Sequence, residues 1–221
     1  MGKKSETFIK SINYILKGIL EIIYPRESHC IICGEEDSNG LCIKCRNSIS
    51  RVNNKFNNSI DSYGYYGGVL KELILKFKYY HNFTAGDILS ELLEEYIESK
   101  FLYKDFVITY IPLSKKSKKK RGFNQCQYLA AKIANDLEIR CMEVLIKKKE
   151  NKEQKLLKYN ERHENVKDIF ELKRNVNIKD LKFIIIDDVT TSGATIEEAC
   201  RILKKYGVKH IKLLTLAKSH I

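Results

Sequence analysis

Three features of the sequence predict an α/β fold: a parallel sheet flanked by helices, with a small cysteine-rich module ahead of it. Beyond residue 60, strand-like apolar runs alternate with stretches whose apolar residues recur at helical spacing. One of those runs, Phe183 to Ile186, is apolar throughout and so reads as a central strand buried on both faces. Four cysteines are clustered as Cys30-x2-Cys33 and Cys42-x2-Cys45.

Taken in order, Phe8, Ile12, Ile15, Leu16, Ile19, Leu20 and Ile23 recur at helical spacing, and Tyr24-Pro25 ends the run. This amphipathic helix reads either as packing on the domain behind it or as a membrane-surface or partner helix. Asp61 to Tyr66 suits a strand, and Gly67-Gly68 opens a helix carrying Val69, Leu70, Leu73, Ile74 and Phe77. A second helix is expected over about 84–100, and a buried strand over Phe106 to Leu113. The basic run Lys115 to Arg121 reads as a loop, followed by a helix over Asn124 to Leu137 with Asn124 as its N-cap. A strand near Glu143 to Ile146 and a helix over Leu156 to Val166 come next. The strand Phe183 to Asp187, a helix from Ile196 to Tyr206 and a last strand from Val208 to Ala217 complete the order. The expected division is 1–25 for the N-terminal amphipathic helix, 26–52 for the four-cysteine module and 60–221 for the sheet domain.

Composition narrows the class of protein. A net charge of +12 favours acidic or phosphorylated partners. Between Lys104 and Lys158 there are fifteen Lys/Arg against six Asp/Glu, so most of the imbalance lies in one stretch. Seven cysteines, three of them scattered singles, argue against a secreted disulfide framework. The apolar stretch Phe8 to Tyr24 is interrupted by Lys10, Lys17 and Glu21, so an integral membrane protein is not expected. No small-residue cleavage site follows it, and a cytoplasmic location is expected.

The two Cys-x2-Cys pairs supply four thiolates and no spare ligand, the donor set of structural zinc. Gly34 and Gly40 permit the tight turns beside them, and His29 reads as a bystander. A module of this kind holds shape, and nucleic-acid contact, protein contact and plain stabilisation stay open for it.

The segment Phe183 to Thr195 carries the chemistry. In an open α/β sheet, ligands sit at the carboxyl ends of central strands. There Asp187 and Asp188 are expected to leave the strand, and two carboxylates can accept hydrogen bonds from ribose 2′- and 3′-hydroxyls. Thr190, Thr191, Ser192, Gly193, Ala194 and Thr195 then offer hydroxyls, backbone N–H groups and a helix N-terminus, which together favour a phosphate. A buried strand followed by a capped helix would explain the apolar run and Thr195. It would not explain two adjacent acids followed by six small residues.

The segment resembles the phosphoribosyl pyrophosphate signature of type I phosphoribosyltransferases. The resemblance implies a parallel sheet of about five strands with a variable hood, and magnesium bound together with phosphoribosyl pyrophosphate. A longer pattern resembles the ComF competence family. It comprises the four-cysteine module, Tyr65-Tyr66-Gly67-Gly68-Val69-Leu70, Lys76-Phe77-Lys78-Tyr79, Pro112-Leu113, Arg121-Gly122-Phe123-Asn124-Gln125 and Gln154…Leu157…Arg162…Asn165…Phe170. This second resemblance implies that Lys78, Arg121, Asn124 and Arg162 line or close the site. From the residues alone, Lys78 and Arg162 read equally as helix-surface charges. The family is associated with DNA uptake and natural transformation, so single-stranded DNA and uptake-machinery proteins are the implied partners, beside phosphoribosyl pyrophosphate or ribose 5-phosphate. For Lys115 to Arg121, phosphate contact, DNA contact and solvation all remain open. A transferase acting on a base or amine is the alternative reading. No acceptor pocket is legible, and no cysteine follows Met1 to serve a glutaminase half.

Overall fold

The computed structural model describes residues 28–53, 60–148 and 166–219. The expected N-terminal helix, Gln154, Leu157, Arg162, Asn165 and residues 156–165 of the expected helix lie outside the described residues. Among the described residues, six strands and six helices follow in order: α1 (Ile43–Asn47), β1 (Asp61–Tyr65), α2 (Gly68–Tyr80), α3 (Phe83–Lys100), β2 (Phe106–Tyr110), α4 (Lys115–Arg121), α5 (Gln125–Asp136), β3 (Leu145–Lys147), β4 (Phe170–Leu172), β5 (Lys182–Thr190), α6 (Ala194–Lys205) and β6 (His210–Lys218).

Four strands form a wholly parallel sheet in the order β1-β6-β5-β2. An isolated parallel bridge between Ile108 and Cys141 extends it beyond β2. The alternation of side chains along β5 distributes the core. Ile184 and Ile186 pack with Leu70, Phe77, Leu89 and Leu129 from α2, α3 and α5. Phe183 and Ile185 pack with Ile196, Ala199 and Leu203 of α6 and with Phe170 of β4. With both faces covered, an apolar Phe-Ile-Ile-Ile run is what a central strand requires.

β3 and β4 pair antiparallel as a separate two-stranded hood. The hood is tied to α6 by Glu198, whose carboxylate accepts from the Asp168 backbone N–H at 2.8 Å and from the Arg201 guanidinium at 2.7 Å.

The cysteine module docks on the free edge of β1. The Tyr65 N–H donates to the Ser50 carbonyl at 2.8 Å, and Arg51 bridges Gly64 in antiparallel sense. A β-carbon at Gly64 would lie 2.8 Å from the Ser50 oxygen, so only glycine admits this approach. Arg46 pairs with Glu95, and a β-carbon at Gly40 would lie 3.1 Å from Thr84 Cγ2 and 3.2 Å from Ile88 Cδ1 of α3.

Two expectations are corrected. The basic run is not a loop but the helix α4. The Ser114 hydroxyl accepts from the Ser117 N–H at 3.1 Å as its N-cap, and Gly122, at φ +77°, ends it. Lys and Arg are good helix formers, and cations in the last turn suit the helix dipole. The strand expected to end at Asp187 runs on to Thr190. β6 is long enough to keep pairing, with Asp187 opposite Thr215, Val189 opposite Ala217 and Thr190 opposite Lys218. The acids therefore sit inside the strand rather than leaving it.

Candidate functional site

β2 leaves the ladder at Tyr110, opposite Ile186, while β5 continues beside β6. Past Ile186, the β2 side of β5 is met by the start of α5. Asn124 caps that helix. Its Oδ1 accepts from the N–H groups of Cys126 and Gln127, at 3.0 and 3.4 Å, and its Nδ2 donates to the Ile111 carbonyl at 3.1 Å. The cap brings Gln125 and Cys126 onto the acids. Gln125 Nε2 donates to Asp188 Oδ2 at 2.6 Å, and the Cys126 thiol to Asp187 Oδ1 at 3.5 Å. From α2, Lys78 Nζ reaches Asp188 Oδ2 at 2.7 Å.

The two carboxyls are driven apart in acidity. Burial and the adjacent Asp188 charge push Asp187 up to about 7. Burial also acts to raise Asp188, but the Lys78 ammonium and the Gln125 hydrogen bond overcome it and hold Asp188 below the usual carboxylate range. Burial alone would weaken the Lys78 ammonium, and Asp188 keeps it charged.

A small concavity opens beside Asp187, lined by Val189, Thr190, Thr191, Ser192, Gly193, Ala194, Thr195 and Ile196. Only Thr191 to Gly193 lie between strand and helix, since Thr190 ends β5 and α6 begins at Ala194. Gly193, at φ +84°, is the N-cap, and a β-carbon there would lie 2.6 Å from Ile60 Cδ1. Replacing Gly193 with Ala is expected to lower the melting temperature by several degrees and to weaken anion binding at this loop at least tenfold. The residue then faces both a left-handed backbone and a clash. Thermal melting and ligand titration of the variant check both effects.

The structure brings Asp187, Asp188, Thr190 to Thr195 and Lys78 into one neighbourhood. Asn124 lies behind it as a buried helix cap. Arg121 sits at the end of α4, with its guanidinium 5.7 Å from the centre of the Tyr79 ring and its carbonyl 2.9 Å from His81 Nε2. Sequence reasoning missed Gln125 and Cys126 as partners of the acids. The available signal was a glutamine at the start of a helix, on the face that also carries Leu129 and Ile133.

In the module, the sulfurs of Cys30, Cys33, Cys42 and Cys45 lie within 4.8 Å of one another. A tetrahedral site with metal–sulfur bonds of about 2.3 Å has edges of about 3.8 Å, and the Cys33 and Cys42 sulfurs are 3.6 Å apart. Burial and the neighbouring sulfurs push the Cys45 thiol well up, whereas at Cys30 burial is overcome by hydrogen bonds from the backbone of Cys42, Cys33 and Ile32, which bring it down to about 6. The four cysteines can hold a metal ion, and the all-sulfur set suits structural zinc.

Residues 124–221 match the phosphoribosyl transferase domain family, so the chain carries a phosphoribosyltransferase-like parallel sheet behind a four-cysteine module. It is similar to ComF/ComFC competence proteins. It is 28% identical to competence protein F of Haemophilus influenzae over 162 residues, 71% of each chain. It is also 28% identical to competence protein ComFC of Bacillus subtilis over 196 residues, 86% of this chain and 78% of that one. Among solved structures, it is similar to a purine phosphoribosyltransferase from Pyrococcus horikoshii, at 21% identity and a TM-score of 0.40, covering 60% of this chain and 73% of the other. No helix among the described residues is long and apolar enough to cross a membrane.

Proposed function

We propose that this chain binds phosphoribosyl pyrophosphate, with magnesium, at the junction of β5 and α6, and does so in the service of DNA uptake. The observation that carries the reading is the concavity that joins Asp187 to the Thr190–Thr195 segment at the end of a central strand. The acidic end of β5 receives ribose hydroxyls, and the loop and helix N-terminus receive the 5-phosphate. Lys78, paired with Asp188, and Arg121, at the end of α4, are the cations we assign to the pyrophosphate. Magnesium suits the ligand's own oxygens, as a hard cation bound largely through phosphates. The match to a phosphoribosyl transferase domain supports the ligand class, and the competence relatives support the setting.

The test is a thermal shift paired with a turnover assay. Magnesium phosphoribosyl pyrophosphate should raise the melting temperature in a saturable way, because a ligand that binds only the folded state stabilises it. Pyrophosphate release with any base or amine would move the reading to an active transferase. No thermal shift would remove the sugar-phosphate assignment.

Single-stranded DNA is the proposed macromolecular partner, and it would meet α4. Lys115, Lys116, Lys118, Lys119 and Lys120 are exposed there, with the exposed Tyr79 beside Arg121 and the exposed Phe83 beside Phe123. Cations that follow a backbone, with rings on which bases stack, are the usual means of holding single strands. Changing Lys118, Lys119 and Lys120 to Ala is expected to weaken oligonucleotide binding and to flatten its salt dependence by about two units of log–log slope, about 0.7 per lost phosphate contact. Fluorescence anisotropy across a salt series checks this, and an unchanged slope would count against α4.

A further inference from the structure

α2 ends on a residue that its backbone does not favour. His81 closes the helix at φ +55°, in the left-handed region. The Asn82 N–H donates to the Lys76 carbonyl at 3.2 Å, six residues back, which places His81 at the turn position where glycine is the usual choice. α3 opens two residues on, at Phe83, so the imidazole is carried on a short link between two long helices. A side chain kept at a left-handed position calls for a role that the side chain itself performs.

The contacts of that side chain lie on the end of α4. His81 Nε2 stands 2.9 Å from the Arg121 carbonyl. A carbonyl only accepts, so this nitrogen carries the proton and donates. Arg121 ends α4, where a helix leaves its last carbonyls open. The His81 ring also lies 5.5 Å from the Phe123 ring, itself 5.1 Å from that of the buried Phe77. α4 has need of a hold from outside. None of its residues is buried, and six of its seven residues are cations that repel one another.

We propose that His81 is a positioning residue: its imidazole latches the C-terminal end of α4 to α2 and so fixes Arg121 for the pyrophosphate. α2 also carries Lys78, three residues earlier, so one turn of one helix sets both cations assigned to that ligand. The role rests on the sugar-phosphate reading, while the latch itself stands on the contacts alone.

Two variants separate positioning from support of the fold. His81→Gly removes the ring and supplies the residue that a left-handed turn prefers, so it should melt at or above the parent. In α4, the Lys118 and Gly122 N–H groups, which donate to the Ser114 and Lys118 carbonyls, should nonetheless exchange hydrogen about tenfold faster or more. Magnesium phosphoribosyl pyrophosphate should bind about fivefold more weakly, as for one lost hydrogen bond. His81→Gln keeps an N–H donor at about the reach of Nε2, on a backbone less suited to the turn. It should melt below the glycine variant, yet bind within about threefold of the parent. Affinity and stability then run in opposite orders, which a residue that only supports the fold would not give. A glycine variant that melts clearly below the parent would make His81 such a support and overturn the proposal. Unchanged exchange in α4 would overturn the latch. Faster exchange with parent-like binding, or a glutamine variant that binds no better than glycine, would overturn the positioning role. A parent that binds no phosphoribosyl pyrophosphate would remove the ligand reading and the positioning role together, and the ligand-free exchange comparison would still decide the latch.

Discussion

Asp187→Asn is expected to weaken binding of magnesium phosphoribosyl pyrophosphate at pH 8 by roughly 30- to 100-fold, the equivalent of about 2–3 kcal/mol for hydrogen bonds to a charged acceptor. The pH dependence of the parent follows from the same residue. Burial first, and then the Asp188 charge, raise the Asp187 carboxyl to about 7, so it is mostly protonated at pH 6 and mostly ionised at pH 8. A ribose hydroxyl donates to the ionised form, so affinity should rise about tenfold across that range. The ligand's own phosphates also titrate there, and the Asp187→Asn variant isolates the part due to Asp187 as the difference between two pH profiles. Stability should move the other way. A carboxyl whose folded value is raised gives up stability as pH climbs from its unfolded value near 4 through about 7. Asp187→Asn should therefore melt higher than the parent at pH 8, with the gap closing towards pH 4. A variant that binds normally at pH 8 would remove Asp187 from the site.

Loss of the metal should have the largest effect on stability. Cys42 accepts from the Cys45 N–H at 3.4 Å and caps α1, and its sulfur lies within reach of the other three. Structural zinc in modules this small accounts for most of their folding free energy. Cys42→Ser, or prolonged exposure to a strong chelator, is expected to unfold the 28–53 region and to cost several kcal/mol, a drop of more than about 10 °C in melting temperature. The effect should spread into the sheet along a defined route. The Tyr65 N–H donates to Ser50, and the Val52 N–H to the Tyr63 carbonyl. Those two amides should lose hydrogen-exchange protection first, while the amides of β5 keep theirs. Full protection at Tyr65 after metal removal would show that the module folds without its ion.

Features that depended on local chemistry were legible in the sequence. The central strand announced itself because burial on both faces leaves no position for a polar side chain. The helices α2, α3, α5 and α6 followed from apolar spacing, and Asn124 was readable as a cap. Features that depended on distant partners were not. Whether β5 stops at Asp187 or runs to Thr190 is decided by the length of β6, more than twenty residues onward. β4 is three residues long and is a strand only because β3 lies beside it. A run of like charges resembles a loop, and the Ser114 cap and Gly122 stop are the better local signals that α4 is a helix. Within the site, residue types suggest a sugar-phosphate ligand, but the inequality of the two acids comes from Lys78 and Gln125, 110 and 63 residues away from Asp188 in the chain.

Calorimetric titration of the metal-loaded protein with magnesium phosphoribosyl pyrophosphate at pH 8 tests most directly what the end of β5 holds. One saturable site per chain, displaced by ribose 5-phosphate and lost in Asp187→Asn, is the predicted result. No heat of binding at millimolar ligand, or binding that survives Asp187→Asn unchanged, would contradict it.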